Sequence, residues 1–160
     1  MTTRLDDTPQ PSTMPNCYLV RGLPGTRRRE YAIDTLGVDP KRVFCADDFF
    51  QRRAEELDDP SGYAFDPELI REAHQDCMRR LARGMSTGKP VAVTNTFSTL
   101  YEMQSYKRLA RMLGYYYVAQ DLFDEGRSDA SLMDSLEFPV PLHVIQRMRA
   151  RWNLRRDGGG

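Results

Sequence analysis

The residues of this chain best suited to chemistry begin at Gly22-Leu23-Pro24-Gly25-Thr26 and continue as Arg27-Arg28-Arg29. A glycine-containing loop ahead of a helix can turn backbone N–H groups toward an anion, and three guanidinium groups add positive charge beside it. Like charges at a helix start oppose one another and the helix dipole. A phosphate, from a nucleotide or a nucleic-acid backbone, would relieve them; the alternative is a solvated cluster. Asp47-Asp48 close a second apolar run and can cap a following helix. His74, beside Ala73, reads as a packed or capping histidine or as a functional one, and Asn95-Thr96 read as a turn after a strand or as a substrate-facing pair. Toward the end, Arg147, Arg149, Arg151, Arg155 and Arg156 accompany Trp152. They form either the polar face of an amphipathic helix or a nucleic-acid contact. Cys17, Cys45 and Cys77 are odd in number and widely spaced, with no CxxC pair and only His74 and His143 to help. No metal site and no disulfide framework is expected from them; they read as small buried residues of a reducing compartment.

These groups need elements to hold them. The apolar, β-favouring run at 17–20 ends at the glycine loop, and 27–36 carries Tyr31, Ile33 and Leu36 on one helical face, with Gly37 a candidate C-cap. A second strand is expected at 42–45, followed by a polar stretch. Asp66 then caps a helix over 67–83 with Pro67 at its first position and Leu69, Ala73, Cys77 and Leu81 at four-residue spacing. A strand at 90–94, a helix at 99–113 and a strand at 115–120 follow, with Tyr115-Tyr116-Tyr117 alternating across the last of these. A short helix at 129–136 and a last one at 142–156 complete the chain. Strands alternating with helices predict an α/β fold with a mainly parallel sheet flanked by helices.

The chain has 160 residues, with 23 Lys+Arg against 23 Asp+Glu and 40% apolar residues, which is enough for one core and little more. Residues 1–16, with three prolines, read as a flexible leader, 17–156 as one domain and 157–160 as a tail. No run approaches the ~20 apolar residues of a membrane span and no signal pattern opens the chain, so a cytoplasmic protein without membrane partners is expected. Twenty of the basic residues are arginine and three are lysine.

In order along the chain, Leu19-Val20-Arg21-Gly22-Leu23-Pro24-Gly25-Thr26, Cys45-Ala46-Asp47-Asp48-Phe49-Phe50, Gly62-Tyr63-Ala64-Phe65-Asp66-Pro67 with Ala73-His74, Pro90-Val91-Ala92-Val93-Thr94-Asn95-Thr96, Tyr101-Glu102-Met103, Gly114-Tyr115 and Val140-Pro141 form a pattern. With it the chain resembles the polynucleotide-kinase-like P-loop kinases, among them the 5′-kinase domain of phage polynucleotide kinase and the phage kinases of 5-hydroxymethyluracil in DNA. The resemblance implies a P-loop fold with a short lid, ATP and Mg²⁺ as cofactors, and a hydroxyl acceptor on a nucleic acid or nucleotide. It implies Asp47 as general base, Asp48, Phe49, His74, Asn95 and Thr96 on the acceptor side, and Gly22, Gly25, Thr26, Arg27 and Arg29 around the phosphates, with Arg28 as clamp.

The departures from that pattern are specific. The family loop reads G-x-x-x-x-G-K-[ST]; here Gly22 holds the first position and Arg27, Arg28 and Arg29 stand for glycine, lysine and hydroxyl. Thr94 stands where a carboxylate closes the third strand, and no arginine precedes Val140-Pro141, leaving Arg127 or Arg147 to replace a lid arginine. The expectation is a degenerate kinase-like protein, impaired in ATP-dependent transfer, whose acceptor cleft binds nucleic acid, a nucleotide or a protein. Its competitors are an active kinase using Asp47 and Arg28, and an adaptor or inhibitor acting through its surface.

Overall fold

A computed structural model of the chain describes residues 14–136 and 140–152. Most of the leader, Arg155, Arg156 and the glycine tail lie outside the described residues, as does 137–139 in the segment ahead of Val140. Four parallel strands, β1 (Asn16–Arg21), β2 (Val43–Phe44), β3 (Val91–Val93) and β4 (Tyr116–Asp121), stand in the order β2-β3-β1-β4. Parallel neighbours need crossovers, and helices supply them. These are α1 (Arg28–Glu30) with a π-helical turn over Tyr31–Thr35, α2 (Asp47–Glu56), α3 (Ile70–Met85) and α4 (Leu100–Met112). Two more, α5 (Asp129–Asp134) and α6 (Leu142–Ala150), follow the sheet.

Strand alternation divides the core between the two faces of the sheet. Cys17 and Leu19 of β1 and Val91 and Val93 of β3 face Phe44, Ala73, Cys77, Leu81, Met103 and Ala110. Val20 and Ala92 face the other way, toward Ala32, Val38 and Val43. The four-residue spacing of Ala73, Cys77 and Leu81 therefore does mark the buried stripe of α3, and Asp66 accepts from the Glu68 amide at the turn that leads into it. Burial pushes the Cys17 thiol up to about 12 and Cys77 to about 11, so both are neutral core groups, while Cys45 is only half-buried by accessible surface. A third, smaller cluster joins Leu23 of the loop to Leu132 of α5 and Ile145 of α6.

Several sequence-based boundaries shift. Strand β1 takes in Asn16, the last residue of the expected leader, and β4 starts at Tyr116 because Tyr115 turns inward and donates to the Lys89 carbonyl oxygen at 2.7 Å. The helix expected over 27–36 is one α turn followed by a π turn. The polar stretch after Asp48 is helix α2, which buries only Phe50 and Ala54 and so shows little apolar periodicity. Among the described residues no helix is long and apolar enough to cross a membrane.

Candidate functional site

The site lies at the carboxyl ends of β1, β2 and β3, where an open α/β sheet leaves a crevice between loops. Its first wall is the glycine loop. Gly25 has φ +89° and so close an approach to α5 that a Cβ there would lie 2.4 Å from the Leu132 carbonyl oxygen, which makes glycine obligatory. The Thr26 hydroxyl is spent inside the loop, donating to the Leu23 carbonyl oxygen at 2.7 Å. Arg27, at the position expected to be glycine, keeps the left-handed backbone that glycine would supply, φ 60° and ψ 50°. Arg28 folds back over the loop, its Nη1 donating to the Gly22 carbonyl oxygen at 3.1 Å and to Thr96 Oγ1 at 2.7 Å. The Gly22 amide in turn donates to the Thr96 carbonyl oxygen at 3.2 Å. Arg29 does not stand over the loop at all: it reaches the carbonyl oxygens of Pro40 and Val43, so its charge is carried away from the hydroxyl position it replaces.

The opposite wall is built from the start of α2 and the Gly62–Pro67 turn. Asp47 Oδ1 accepts from the Tyr63 hydroxyl at 2.7 Å, and its Oδ2 accepts no hydrogen bond among the described residues. Burial, and then the Asp47 carboxylate, push the Tyr63 hydroxyl far above its ordinary range and keep it a donor. Asp48 points elsewhere: Oδ2 accepts from the Cys45 amide at 3.1 Å and pairs with Arg80 at 2.9 Å. Burial alone would lower Arg80, but its bonds to Asp76 and Asp48 carry it up, and Arg80 also donates to the Cys45 carbonyl oxygen. Arg52 joins the same network through Asp76. Phe49 packs edge-on against Phe50, half-buried. Tyr63 and Phe65 are parallel with centroids 6.2 Å apart, and Phe65 is 53% exposed.

Beneath the crevice runs a buried polar chain. Asn95 Oδ1 accepts from the Ala46 amide at 2.8 Å, Asn95 Nδ2 donates to the Tyr106 hydroxyl at 3.2 Å, and that hydroxyl meets His74 Nδ1 at 2.7 Å. Asn95 thus fixes the entry of α2, one residue before Asp47. Burial holds His74 below its ordinary value, against the opposing pull of Glu102 and Asp47.

The two arginines considered for a lid behave differently. Arg127 bonds the Gly25 carbonyl oxygen at 3.3 Å, the Ser131 carbonyl oxygen at 2.8 Å and the Ser135 hydroxyl, clamping α5 to the loop. Arg147 is exposed on α6. Its neighbours Arg149 and Arg151 are engaged, Arg149 with Asp124 at 2.5 Å and Asp129 at 2.7 Å, Arg151 with the Ser98 hydroxyl at 2.7 Å. Trp152 is covered too: Arg21 lies 4.0 Å from its ring centroid. Arg21 is fully buried, donates to the Phe97 carbonyl oxygen at 3.0 Å and lies 3.8 Å from Asp121. Sequence reasoning overlooked Arg21 and Tyr63; the available signals were a charged residue ending an apolar strand and an aromatic residue held in a glycine turn.

Beyond Thr26 and Arg27, on the side away from Asp47, a cleft of about 490 Å³ opens toward β4. Glu30, Asp34, Asp121 and Glu125 line it with carboxylates, and among the described residues Arg27 is its one basic residue. Among the described residues no group of three or more His, Cys, Asp or Glu is placed to hold a metal ion.

No family model matches the chain. Solved structures do. A component of the Pnkp1/Rnl/Hen1 RNA repair complex is similar at 13% identity with TM-score 0.64, over 93% of this chain and 46% of that one. A gluconokinase from Sinorhizobium meliloti is similar at 14% identity with TM-score 0.53, over 91% of this chain and 79% of that one. A chain of the AvrRxo1-ORF1:ORF2 complex solved with ATP is similar at 16% identity with TM-score 0.55, over 86% and 47%. This chain spans less than half the length of the RNA-repair component. At such identities what is shared is the fold: this chain's parallel sheet, ordered β2-β3-β1-β4 and flanked by helices, has an α/β architecture of the P-loop NTPase type.

Proposed function

We propose that this chain is a kinase-like protein that has given up ordinary ATP-dependent phosphotransfer and keeps an acceptor-side cleft for single-stranded nucleic acid. The observation that carries the first half is the loop closed on itself by Arg28, whose Nη1 is held by the Gly22 carbonyl oxygen and Thr96 Oγ1. The residues do not fit Mg²⁺: the Thr26 hydroxyl is donated inward, Arg29 replaces the expected hydroxyl and Thr94 the strand-end carboxylate. A triphosphate fits poorly as well, since among the described residues the cleft beside the loop carries four carboxylates, Glu30, Asp34, Asp121 and Glu125, against one guanidinium. Preorganised positive charge and metal supply most of the transition-state stabilisation in phosphoryl transfer, so their loss is felt first in the rate. The second half is supported by the Tyr63–Phe65 pair beside Asp47, a surface on which a nucleobase can stack, and by the likeness to an RNA-repair component.

Calorimetric titration with Mg-ATP tests the first half. No Mg-dependent binding is expected for the natural sequence, and the triple change Arg27→Gly/Arg28→Lys/Arg29→Thr is expected to create it. Tight Mg-dependent binding by the unmodified protein overturns the reading in favour of the active kinase, in which Asp47 is the base and Arg28 the clamp. Titration with single-stranded oligonucleotides at two salt concentrations tests the second half; a salt-dependent affinity supports it, and no affinity points to a protein partner.

A further inference from the structure

Among the described residues β4 is an edge of the sheet, with β1 on one side and no strand on the other. Its orientation is fixed by two bonds that bracket it: the Tyr116 amide donates to the Pro15 carbonyl oxygen at 3.0 Å and the Leu122 amide to the Arg21 carbonyl oxygen at 2.8 Å. Alternate residues of a strand turn their N–H and C=O groups to alternate sides, so Val118 and Gln120 also bond β1, while Tyr117, Ala119 and Asp121 turn theirs outward. The Gln120 side chain bends back to the outward Asp121 carbonyl oxygen at 3.3 Å, a local substitute for a neighbouring strand. The opposite edge, β2, is two residues long and offers little to pair with. Strand β4 has six residues, Tyr116-Tyr117-Val118-Ala119-Gln120-Asp121, mostly of β-favouring types, and none of the devices that blunt an edge: no proline, no lysine and no break in its register. Tyr116 is 52% exposed, and Met112 and Leu113 before the strand and Phe123 after it leave apolar surface at both ends.

We infer that β4 is a dimerisation edge, pairing antiparallel with β4 of a second copy of this chain about a two-fold axis at Ala119. The inference holds whether or not the crevice binds nucleic acid. A register centred on Ala119 is the one that matches all three outward residues of each copy with outward residues of the other, Ala119 with itself and Tyr117 with Asp121, for about six backbone hydrogen bonds. The charges agree with it. Asp121 is the one charged residue of the strand and falls opposite Tyr117, whose hydroxyl accepts from Arg111 at 2.8 Å and whose ring centroid lies 5.2 Å from Lys107 Nζ. Tyr116 falls opposite Leu122 and Val118 opposite Gln120, so no like charges are directly opposed. This self-complementarity is what names the occupant as a second copy. Asp121 and Leu122 also line the carboxylate-bearing cleft beside the loop, so Tyr116 of the second copy would close that cleft on its β4 side. Six paired residues with these flanks make an interface smaller than the standard about 800 Å² per partner, and a weak dimer is expected, half-formed on the order of tens of micromolar.

Sedimentation velocity of the full chain from about 1 to about 500 µM tests this, the mean mass being expected to rise from one chain toward two. Ala119→Pro removes an N–H that the ladder with β1 does not use, so the fold tolerates it, and dimerisation is expected to weaken about tenfold or more. Tyr116→Lys places an edge lysine at an exposed position and is expected to do the same; it carries the test should Ala119→Pro lower the melting temperature. Cross-linking reads the register. Ala119→Cys is expected to give an interchain disulfide on mild oxidation, since residues paired across the axis have Cα atoms about 5.5 Å apart, whereas Tyr116→Cys, which faces Leu122, is not. One chain at every concentration overturns the inference, and if removing residues 1–13 then releases dimers, the edge is taken by the chain's own opening segment instead. A dimer unchanged by both Ala119→Pro and Tyr116→Lys overturns this edge, and a disulfide forming as readily at Tyr116→Cys as at Ala119→Cys overturns the register.

Discussion

Arg27 holds the backbone of a glycine with the side chain of an arginine, and the cost can be measured. A non-glycine residue in the left-handed region costs on the order of 1–3 kcal/mol, offset in part by the greater unfolded-state freedom that glycine brings. Arg27→Gly is therefore expected to stabilise the protein by about 1 kcal/mol in urea denaturation, even though it removes a charge and no core contact. At this scale the sequence was legible where a residue type is tied to backbone geometry. Position 27, where the loop pattern puts a glycine, keeps a left-handed backbone, as does Gly25 two residues before it. It was not legible where direction matters: the triplet Arg27-Arg28-Arg29 reads as one basic patch, yet one side chain is exposed at the loop, one folds over it and one leaves for Pro40 and Val43. Asp47-Asp48 divide in the same way, one toward Tyr63 and one toward Arg80, because adjacent residues at a helix start point about 100° apart.

The element that sequence periodicity overlooked, α2, is the one that carries Asp47. Helix α2 takes its order from contacts made to it, with Asn95 holding the Ala46 amide and Arg80 holding Asp48, and from a short apolar stripe of Phe50 and Ala54. Helix α3, by contrast, announces itself through Ala73, Cys77 and Leu81 and through the Asp66-Pro67 start. The chain from α3 through Tyr106 to the start of α2 has a pH signature. Because burial keeps His74 below its ordinary value of 6.5, the folded state takes up a proton less readily than the unfolded one. The stability this gives is present above 6.5 and is lost as pH falls through that value toward the depressed one. The melting temperature is expected to fall between about pH 7 and about pH 5, and His74→Gln, which can still meet the Tyr106 hydroxyl, to make the fall shallower. An equal fall in both proteins over that range would overturn the assignment to His74, since carboxylates such as Asp124, which Arg149 holds below the usual range, lose their contribution only at lower pH.

Across the whole molecule, first strand and last helix meet at Arg21. Its guanidinium is 0% exposed, bonded to the loop after β3, beside Asp121 of β4 and over the Trp152 ring that follows α6. Arg21→Met is expected to cost about 3 kcal/mol or more in urea denaturation, since it takes the donor from the buried Phe97 carbonyl oxygen and the ion pair from Asp121, and adding Asp121→Asn should recover part of it. Trp152→Ala should cost about 1–2 kcal/mol by loosening the same junction. The architecture itself was legible from the alternation of strands and helices; this junction was not, because nothing local marks an arginine and a tryptophan so far apart in the chain as partners. Its consequence concerns the order of assembly during synthesis. Arg21 emerges from the ribosome well before its aromatic cover, Trp152, so β1 and the phosphate loop beside it must wait, with a cation unsheltered at their junction, until α6 and the residues just after it have been made. Parallel pairings already make folding slow through their long loops. A chain cut short before Trp152 would therefore be expected to leave its first strand, and not its missing end, as the place where chaperones and proteases take hold.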